Sequence, residues 1–305
     1  MDSISGMSST MLAMVDPMAP QPMSASLTMA AKSEKGVLKR CSAGGNLLIR
    51  RATWALVDDR RGLGSRLLMV EVLESTNSVL KEMAEAGEPE GTVVVAEEQR
   101  AGRGRLGRGW ASPRGGLWFS VLLRPEVPPA EAPSLTLMAG VAVAQALKAQ
   151  LGLDARLKWP NDVLVRGKKL CGLLAESRSD GRLEYVILGI GINANFLLSA
   201  LPEELRRTAI TVREILQRPV DRLALMRAII KELDAGYKAF RDGGIAPFLE
   251  RWRELSETLD RAVRVETATG IVQGVAEDID ATGALRVRTP NGPVTVGSGD
   301  CVHLD

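Results

Sequence analysis

Residues 156–193 read RLKWPNDVLVRGKKLCGLLAESRSDGRLEYVILGIGIN. Four strand-like runs follow in quick succession: RLKW, DVLV, KLCGLLAES and LEYVILGIGIN. Only Pro160-Asn161, Gly167 and Ser179-Asp180-Gly181 separate them. Connections this short join antiparallel neighbours, and Gly167 between Arg166 and Lys168 marks a tight hairpin. The stretch predicts an α+β fold with a mixed or antiparallel central sheet and flanking helices, and disfavours a doubly wound parallel sheet.

The rest of the chain fits around that sheet. Upstream, LLMVEVL (67–73), TVVVAE (92–97) and LWFSVLL (117–123) are apolar enough for buried strands. STNSVLKEMAEAG opens on capping residues, is apolar at Val79, Leu80 and Met83, and stops at Gly87, as a short helix does. Residues 134–151 form a helix rich in small residues, suited to close packing on a sheet. Two further helices are expected at 221–241 and 245–257. From Leu259 the texture changes. AVRVETA, GIVQGVAEDID, GALRVRT, GPVTVG and CVHLD are short runs broken by Thr-Gly, Asn-Gly and Ser-Gly turns, which predicts a small SH3-like β-barrel.

A chain of 305 residues suggests about two domains. The expected boundaries are an extension over 1–64, a main domain over 65–256 and the barrel over 257–305. Seven of the eleven methionines fall in the first thirty residues, among Ser, Ala and Pro, without a stable period. That reads as a disordered extension or a start codon placed too far upstream. The alternative is an organellar transit peptide, since the segment is Ser-rich and poor in acids. The expected location is otherwise the cytoplasm. No apolar window reaches the ~18 residues of a membrane span, so no membrane partner is expected.

Net charge is +2, which excludes a general polyanion binder. Cys41, Cys171 and Cys301 lie far apart, against a disulfide framework or zinc site, and Cys171 in KLCGLL reads as a core thiol. The one histidine, His303, lies in a terminal strand-like run, which argues against a histidine-based nucleophilic mechanism. The chemistry falls to Arg, Lys, Asp, Glu, backbone amides or a metal ion.

Three motifs offer those groups. QRAGRGRLGRGW, residues 99–110, holds four arginines and four glycines, and no acid occurs from Gln99 to Pro125. Glycine lets backbone approach a ligand, and arginine presents a planar fork of donors to carboxylate or phosphate. The loop is expected to be mobile and to close over an anion; the alternative is a solvated or nucleic-acid-binding RGG-like segment. It is not a P-loop, because no Gly-Lys-Ser/Thr ends it. KWPNDV (158–163) places a lysine at a strand end beside Asn161 and Asp162, fit to orient a ligand or to coordinate magnesium, or simply to make a turn. In GIGIN (189–193) alternate glycines imply close approach of another backbone or a ligand, or a plain sheet crossing.

Together with ESTN (74–77) and KKLCGLLAE (168–176), in this order and with a C-terminal barrel, these motifs closely resemble the biotin protein ligases. The resemblance covers about Ser65 to Asp305 and implies a class II synthetase-like core. It implies activation of biotin by ATP and Mg²⁺ as biotinyl-5′-AMP, then transfer to a lysine of a biotin carboxyl carrier domain. Carried over, Ser75, Thr76, Asn77 and Gln99, with Arg103, Gly104, Arg105 and Lys158, are biotin-side residues. Trp110, Asn161, Asp162, Lys169 and Asn193 are nucleotide-side. Lys168 leaves the Lys169 assignment ambiguous. Arg105 and Lys158 are the implied catalytic residues, and Asp162 the implied metal-side carboxylate. Some members carry an N-terminal DNA-binding domain. Residues 1–64 show no pair of amphipathic helices followed by a hairpin, so no DNA partner is expected. The family often dimerises through the central sheet, which this sequence leaves open. Lipoate ligation is the nearest rival, but the Ser75–Asn77 and Gln99 set suits a ureido head better than an aliphatic dithiolane.

Overall fold

The computed structural model describes residues 50–56 and 62–304. Its main strands are β1 (Arg50–Leu56), β2 (Arg66–Leu73), β3 (Thr92–Gln99), β4 (Leu117–Leu123), β5 (Arg156–Lys158), β6 (Asp162–Val165), β7 (Lys168–Asp180) and β8 (Arg182–Ile192). They form one sheet in the order β1-β2-β3-β4-β8-β7-β6-β5. β2 and β3 are parallel, linked through helix α1 (Thr76–Glu85); the other neighbours are antiparallel. The mixed sheet expected from the hairpin-rich stretch is present. At the β6–β7 hairpin Arg166 and Gly167 both have positive φ, 54° and 70°, the geometry of a two-residue primed turn.

Both faces of the sheet are covered. Val93, Val95, Phe119 and Val121 face helices α2 (Leu135–Leu151), α5 (Arg222–Gly243) and α6 (Ala246–Leu255). Val94, Ala96 and Leu122 pack with Val79, Leu80 and Met83 of α1 on the other side. This explains why β3 and β4 read as unbroken apolar runs. Two short helices, α3 (Glu203–Arg206) and α4 (Val212–Leu216), follow β8. At four and five residues they are too short to show an apolar period.

Two expectations are corrected. Arg50–Leu56 is not part of a free extension; it pairs antiparallel with β2, from Arg50↔Val72 to Leu56↔Arg66. RRATWAL carries two arginines and two alanines, and a strand paired on one side needs no continuous apolar run. The readings offered for residues 1–49 lie outside the described residues. Pro129–Leu151, a 3₁₀ turn continued by α2, is apolar and long enough by composition to cross a membrane, contrary to expectation. Most of it is buried against the sheet and α5, and a helix apolar on all sides is what such a place requires.

The C-terminal strands are β9 (Ala262–Thr267), β10 (Gly270–Ile279), β11 (Leu285–Thr289), β12 (Gly292–Val296) and β13 (Asp300–His303). They form an antiparallel sheet in the order β12-β11-β10-β9-β13, consistent with an SH3-like domain. Trp159 fixes this sheet to the main body. It is fully buried; its backbone N–H donates to Thr258 Oγ1 (3.0 Å) and its indole N–H to the Gly283 carbonyl (3.2 Å).

A buried ion pair ties α5 to the sheet. Arg222, the first residue of α5, donates to Glu97 Oε2 (3.0 Å) and to the Gly116 carbonyl (2.8 Å). Removing one partner leaves an uncompensated buried charge. Glu97→Ala is therefore expected to lower stability by about 3–5 kcal/mol in urea denaturation. Glu97→Ala/Arg222→Met should recover most of that loss; a double variant as unstable as the single one would contradict this account of the pair.

Candidate active site

One cavity of about 610 Å³ opens on the α1 side of the sheet, and every residue assigned above to the biotin or nucleotide side lines it. Its walls are the start of α1, the end of β3, the Arg/Gly loop, the Lys158–Asp162 turn, the first half of β7, the end of β8, and β13.

The α1 end is a hydrogen-bonded chain of short polar side chains. Gln99 Oε1 accepts from the Thr76 backbone N–H (2.8 Å) and hydroxyl (3.1 Å), and Gln99 Nε2 donates to Ser112 Oγ (2.8 Å). Ser120 Oγ lies 2.7 Å from Thr76 Oγ1 and 2.5 Å from Asn77 Oδ1. Asn77 Nδ2 donates to Glu176 Oε2 (2.6 Å). A carboxylate only accepts, so this contact fixes which way the Asn77 amide faces. Ser75, at the N-cap of α1, makes no side-chain capping bond to the helix.

Trp110 lies across β7 and β8. Gly172 and Gly191 are paired in register, and a Cβ on either would meet the indole, at 2.9 Å and 2.5 Å. Gly189, two residues along, makes room for the Asn77 amide. The glycines of GIGIN thus admit side chains of the chain itself, where another backbone, a ligand or a plain sheet crossing was expected. Lys169 Nζ sits 5.1 Å from the Trp110 ring centre and 2.7 Å from Asp162 Oδ1. Trp110 Nε1 is buried without a hydrogen-bond partner. Asn193 Nδ2 donates to the Lys169 carbonyl (3.2 Å), and Asn161 Nδ2 to the Leu173 carbonyl (2.8 Å).

The Arg/Gly loop is folded over the cavity. Bridges Gln99↔Ser112 and Arg103↔Gly109 close it, and the Trp110 N–H donates to the Gly102 carbonyl (2.8 Å). Gly102 is required here, because a Cβ would run into the Trp110 carbonyl and lie 2.7 Å from Ser112 Oγ. Arg103 pairs with Glu176 (2.8 Å), and Arg108 holds both carboxylate oxygens of Asp300 (2.9 and 2.7 Å). Arg105 donates to the Gly299 carbonyl (3.0 Å) and approaches Asn161 Oδ1 (3.4 Å). The loop is therefore fastened to β7 on one side and to the C-terminal sheet on the other.

Charge is concentrated at this end. The Arg108 hydrogen bond holds the Asp300 carboxyl below its usual range, with Lys158 and Arg105 adding to the effect. Burial lowers the Arg105 pKa from its ordinary value, against the pull of Asp162 and Asp300. Lys158 lines the cavity, and its ammonium makes no hydrogen bond or ion pair among the described residues. His303 lies at the edge of the cavity, its Nε2 3.2 Å from Thr258 Oγ1 and its Nδ1 3.3 Å from Arg261. Cys171 is the expected core thiol, fully buried. Burial pushes the Cys301 thiol up to about 11.

Sequence reasoning missed Glu176, Ser112, Ser120, Arg108 and Asp300. Glu176 ends the quoted KKLCGLLAE motif and Arg108 is the fourth loop arginine, so both were within sight. Asp300 had no local signal, because its partner lies 192 residues away.

Comparison with known proteins gives one answer. The profile described as "Biotin/lipoate A/B protein ligase family" matches residues 69–193, and "Biotin protein ligase C terminal domain" matches 258–304. A Mycobacterium tuberculosis protein named biotin--[acetyl-CoA-carboxylase] ligase is 35% identical, over 82% of this chain and 94% of its own. The Bacillus subtilis protein named bifunctional ligase/repressor BirA is 36% identical, over 78% and 74%. Among solved structures, a biotin protein ligase from Aquifex aeolicus in complex with biotin and ATP aligns with a TM-score of 0.68 and 31% identity, covering 78% of this chain and 98% of that one.

The glycine platform yields a direct test. Gly191→Ala is expected to displace the Trp110 indole, shift tryptophan emission and cost about 1–3 kcal/mol by overpacking. Gly109→Ala, whose Cβ would meet nothing within 4 Å, should leave the emission unchanged. Equal spectra for both variants would place Trp110 elsewhere.

Proposed function

The chain belongs to the biotin protein ligases of the biotin/lipoate ligase family, and from that we propose that its cavity joins biotin to ATP as biotinyl-5′-AMP and passes the biotinyl group to a lysine of a carrier domain. The observation that carries this reading is the uncommitted Lys158 ammonium beside loop arginines in one cavity with a polar pocket and an aromatic platform.

The first step brings two anions together. The biotin carboxylate attacks the α-phosphorus, an O–P bond forms, and pyrophosphate leaves. Two unit charges at ~4 Å repel by about 4 kcal/mol at an effective dielectric of 20. Lys158, Arg103 and Arg105 would offset this as carboxylate and phosphate meet. Arg103 and Arg108 now rest on Glu176 and Asp300 in half-exposed pairs. Such pairs contribute roughly 0–1 kcal/mol, so an anionic ligand can take over the guanidinium groups. The closed loop would also keep water from the reactive anhydride.

The polar chain at the start of α1 suits the ureido head, which offers one carbonyl and two N–H groups. Gln99 and Asn77 are held by protein partners, so they shape that pocket and fix its donors. Trp110, with Lys169 at its face, is the proposed adenine wall. Among the described residues no group of three His, Cys, Asp or Glu could hold a metal. Asp162 is the protein oxygen that would stand beside magnesium, which when bound would supply further positive charge. In the second step the lysine nitrogen forms a C–N bond to the acyl carbon. The C–O bond to phosphate breaks, AMP leaves with the electron pair, and the nitrogen releases a proton to solvent.

Arg105→Ala is expected to lower biotin-dependent pyrophosphate release from Mg-ATP at least about 100-fold, as loss of a charge-stabilising donor does. Lipoate in place of biotin should give no release. Release with lipoate and not biotin would overturn the pocket assignment, and wild-type rates in the variant would overturn the role of the loop.

A further inference from the structure

A protein-borne lysine needs its own way to the acyl carbon, because the small ligands fill the first cavity. The sheet register provides one. β6 pairs with β7 only as far as Asp162↔Gly172, yet β7 runs on to Asp180. Asn161 closes the next step: its carbonyl accepts from the Leu173 N–H (2.9 Å), and its Nδ2 donates to the Leu173 carbonyl (2.8 Å). Both backbone groups of Leu173 therefore point away from β8. In an antiparallel strand alternate residues point the same way, so those of Ala175 and Ser177 do too. No strand pairs with them on that side among the described residues. Ala175 is half-buried and Ser177 exposed.

This edge borders a second cavity, of about 320 Å³. The cavity reaches from Arg105 and Asn161, which line the first cavity as well, past Ala175 and Ser177 to Thr282 and Ser298 of the C-terminal sheet. Arg105 is the only charged residue among its described lining. That suits a lysine nucleophile. A channel without carboxylates does not hold the ammonium form, and a guanidinium at its end favours the neutral amine that attacks.

We infer that the outward edge of β7, Leu173–Ser177, is the docking strand for the lysine-bearing segment of the acceptor protein. The segment adds to the sheet as an extended strand, and its lysine follows the second cavity to Arg105. The inference rests on the ligase reading above. The bonds made and broken are those of the second step given there.

The test uses Ala175→Pro and Ser177→Pro in the full chain. Proline removes an outward N–H, and sheets tolerate it where that N–H faces away from a partner. Three rates are measured: biotin-dependent pyrophosphate release, capture of the activated biotin by hydroxylamine, and transfer to the biotin-accepting domain of an acetyl-CoA carboxylase. The first two should stay within about twofold of wild type, since neither needs docking. Transfer to the domain should fall at least about tenfold in kcat/KM, mainly through KM. Domain transfer within twofold of wild type in both variants would overturn the inference. Absence of the first two activities in the wild-type protein would instead remove the ligase reading.

If the proline variants fail to fold, amide hydrogen exchange on the wild-type protein decides. The Ala175 and Ser177 amides should exchange fast alone and slow when the acceptor domain is added. Unchanged exchange overturns the inference, and so does protection that rises only with the enzyme's own concentration, which would assign the edge to a second copy.

Discussion

Two glycines facing each other across β7 and β8 set the geometry of the cavity. Gly172 and Gly191 leave a bare patch in an otherwise filled sheet, and the Trp110 indole lies on it. That contact anchors the C-terminal end of the Arg/Gly loop. It also places Lys169 over the ring, and Lys169 in turn holds Asp162. A side chain at either glycine would lift the indole and shift the positions of the arginines that precede it. The indole N–H is buried without a partner there, at a cost of about 1–3 kcal/mol. The sheet fixes where the ring lies, with its nitrogen against Gly191.

The loop arginines pose the opposite problem. Several cations close together repel, and here Glu176 and Asp300 carry part of that charge. The two carboxylates come from different sheets, so the loop joins the main body to the C-terminal sheet. This gives the C-terminal domain a physical part in the cavity: it supplies Asp300, the Gly299 carbonyl and the wall formed by β13. Lys158 has no such counter-charge in direct contact and remains the cation most readily available to an anion.

Much of this was legible in the sequence. Strands β2 to β13 could be read because their runs are bounded by Gly, Pro or Asn-Gly turns, signals that act within a few residues. The residues that gather in the cavity sit in motifs quoted from the sequence, and the resemblance those motifs carry is what singled them out. What stayed hidden depends on distant partners. β1 needs β2 to be a strand at all, since RRATWAL alone is too mixed. The use of Gly189 and Gly191 to admit Asn77 and Trp110, the engagement of Gln99 by Thr76 and Ser112, and the Arg108–Asp300 pair all arise from tertiary packing. The free edge of β7 is a matter of register, because it follows from where β6 stops.

If one cavity takes both biotin and ATP, the carboxylate meets the α-phosphate inside it. The most direct measurement is a single-turnover reaction of the wild-type chain with biotin and Mg-ATP, without acceptor protein, followed by mass spectrometry of the bound small molecules. Biotinyl-5′-AMP approaching one equivalent per active chain, matched by pyrophosphate, is the expected product. ADP and phosphate as products, or unchanged biotin on folded protein, would contradict it.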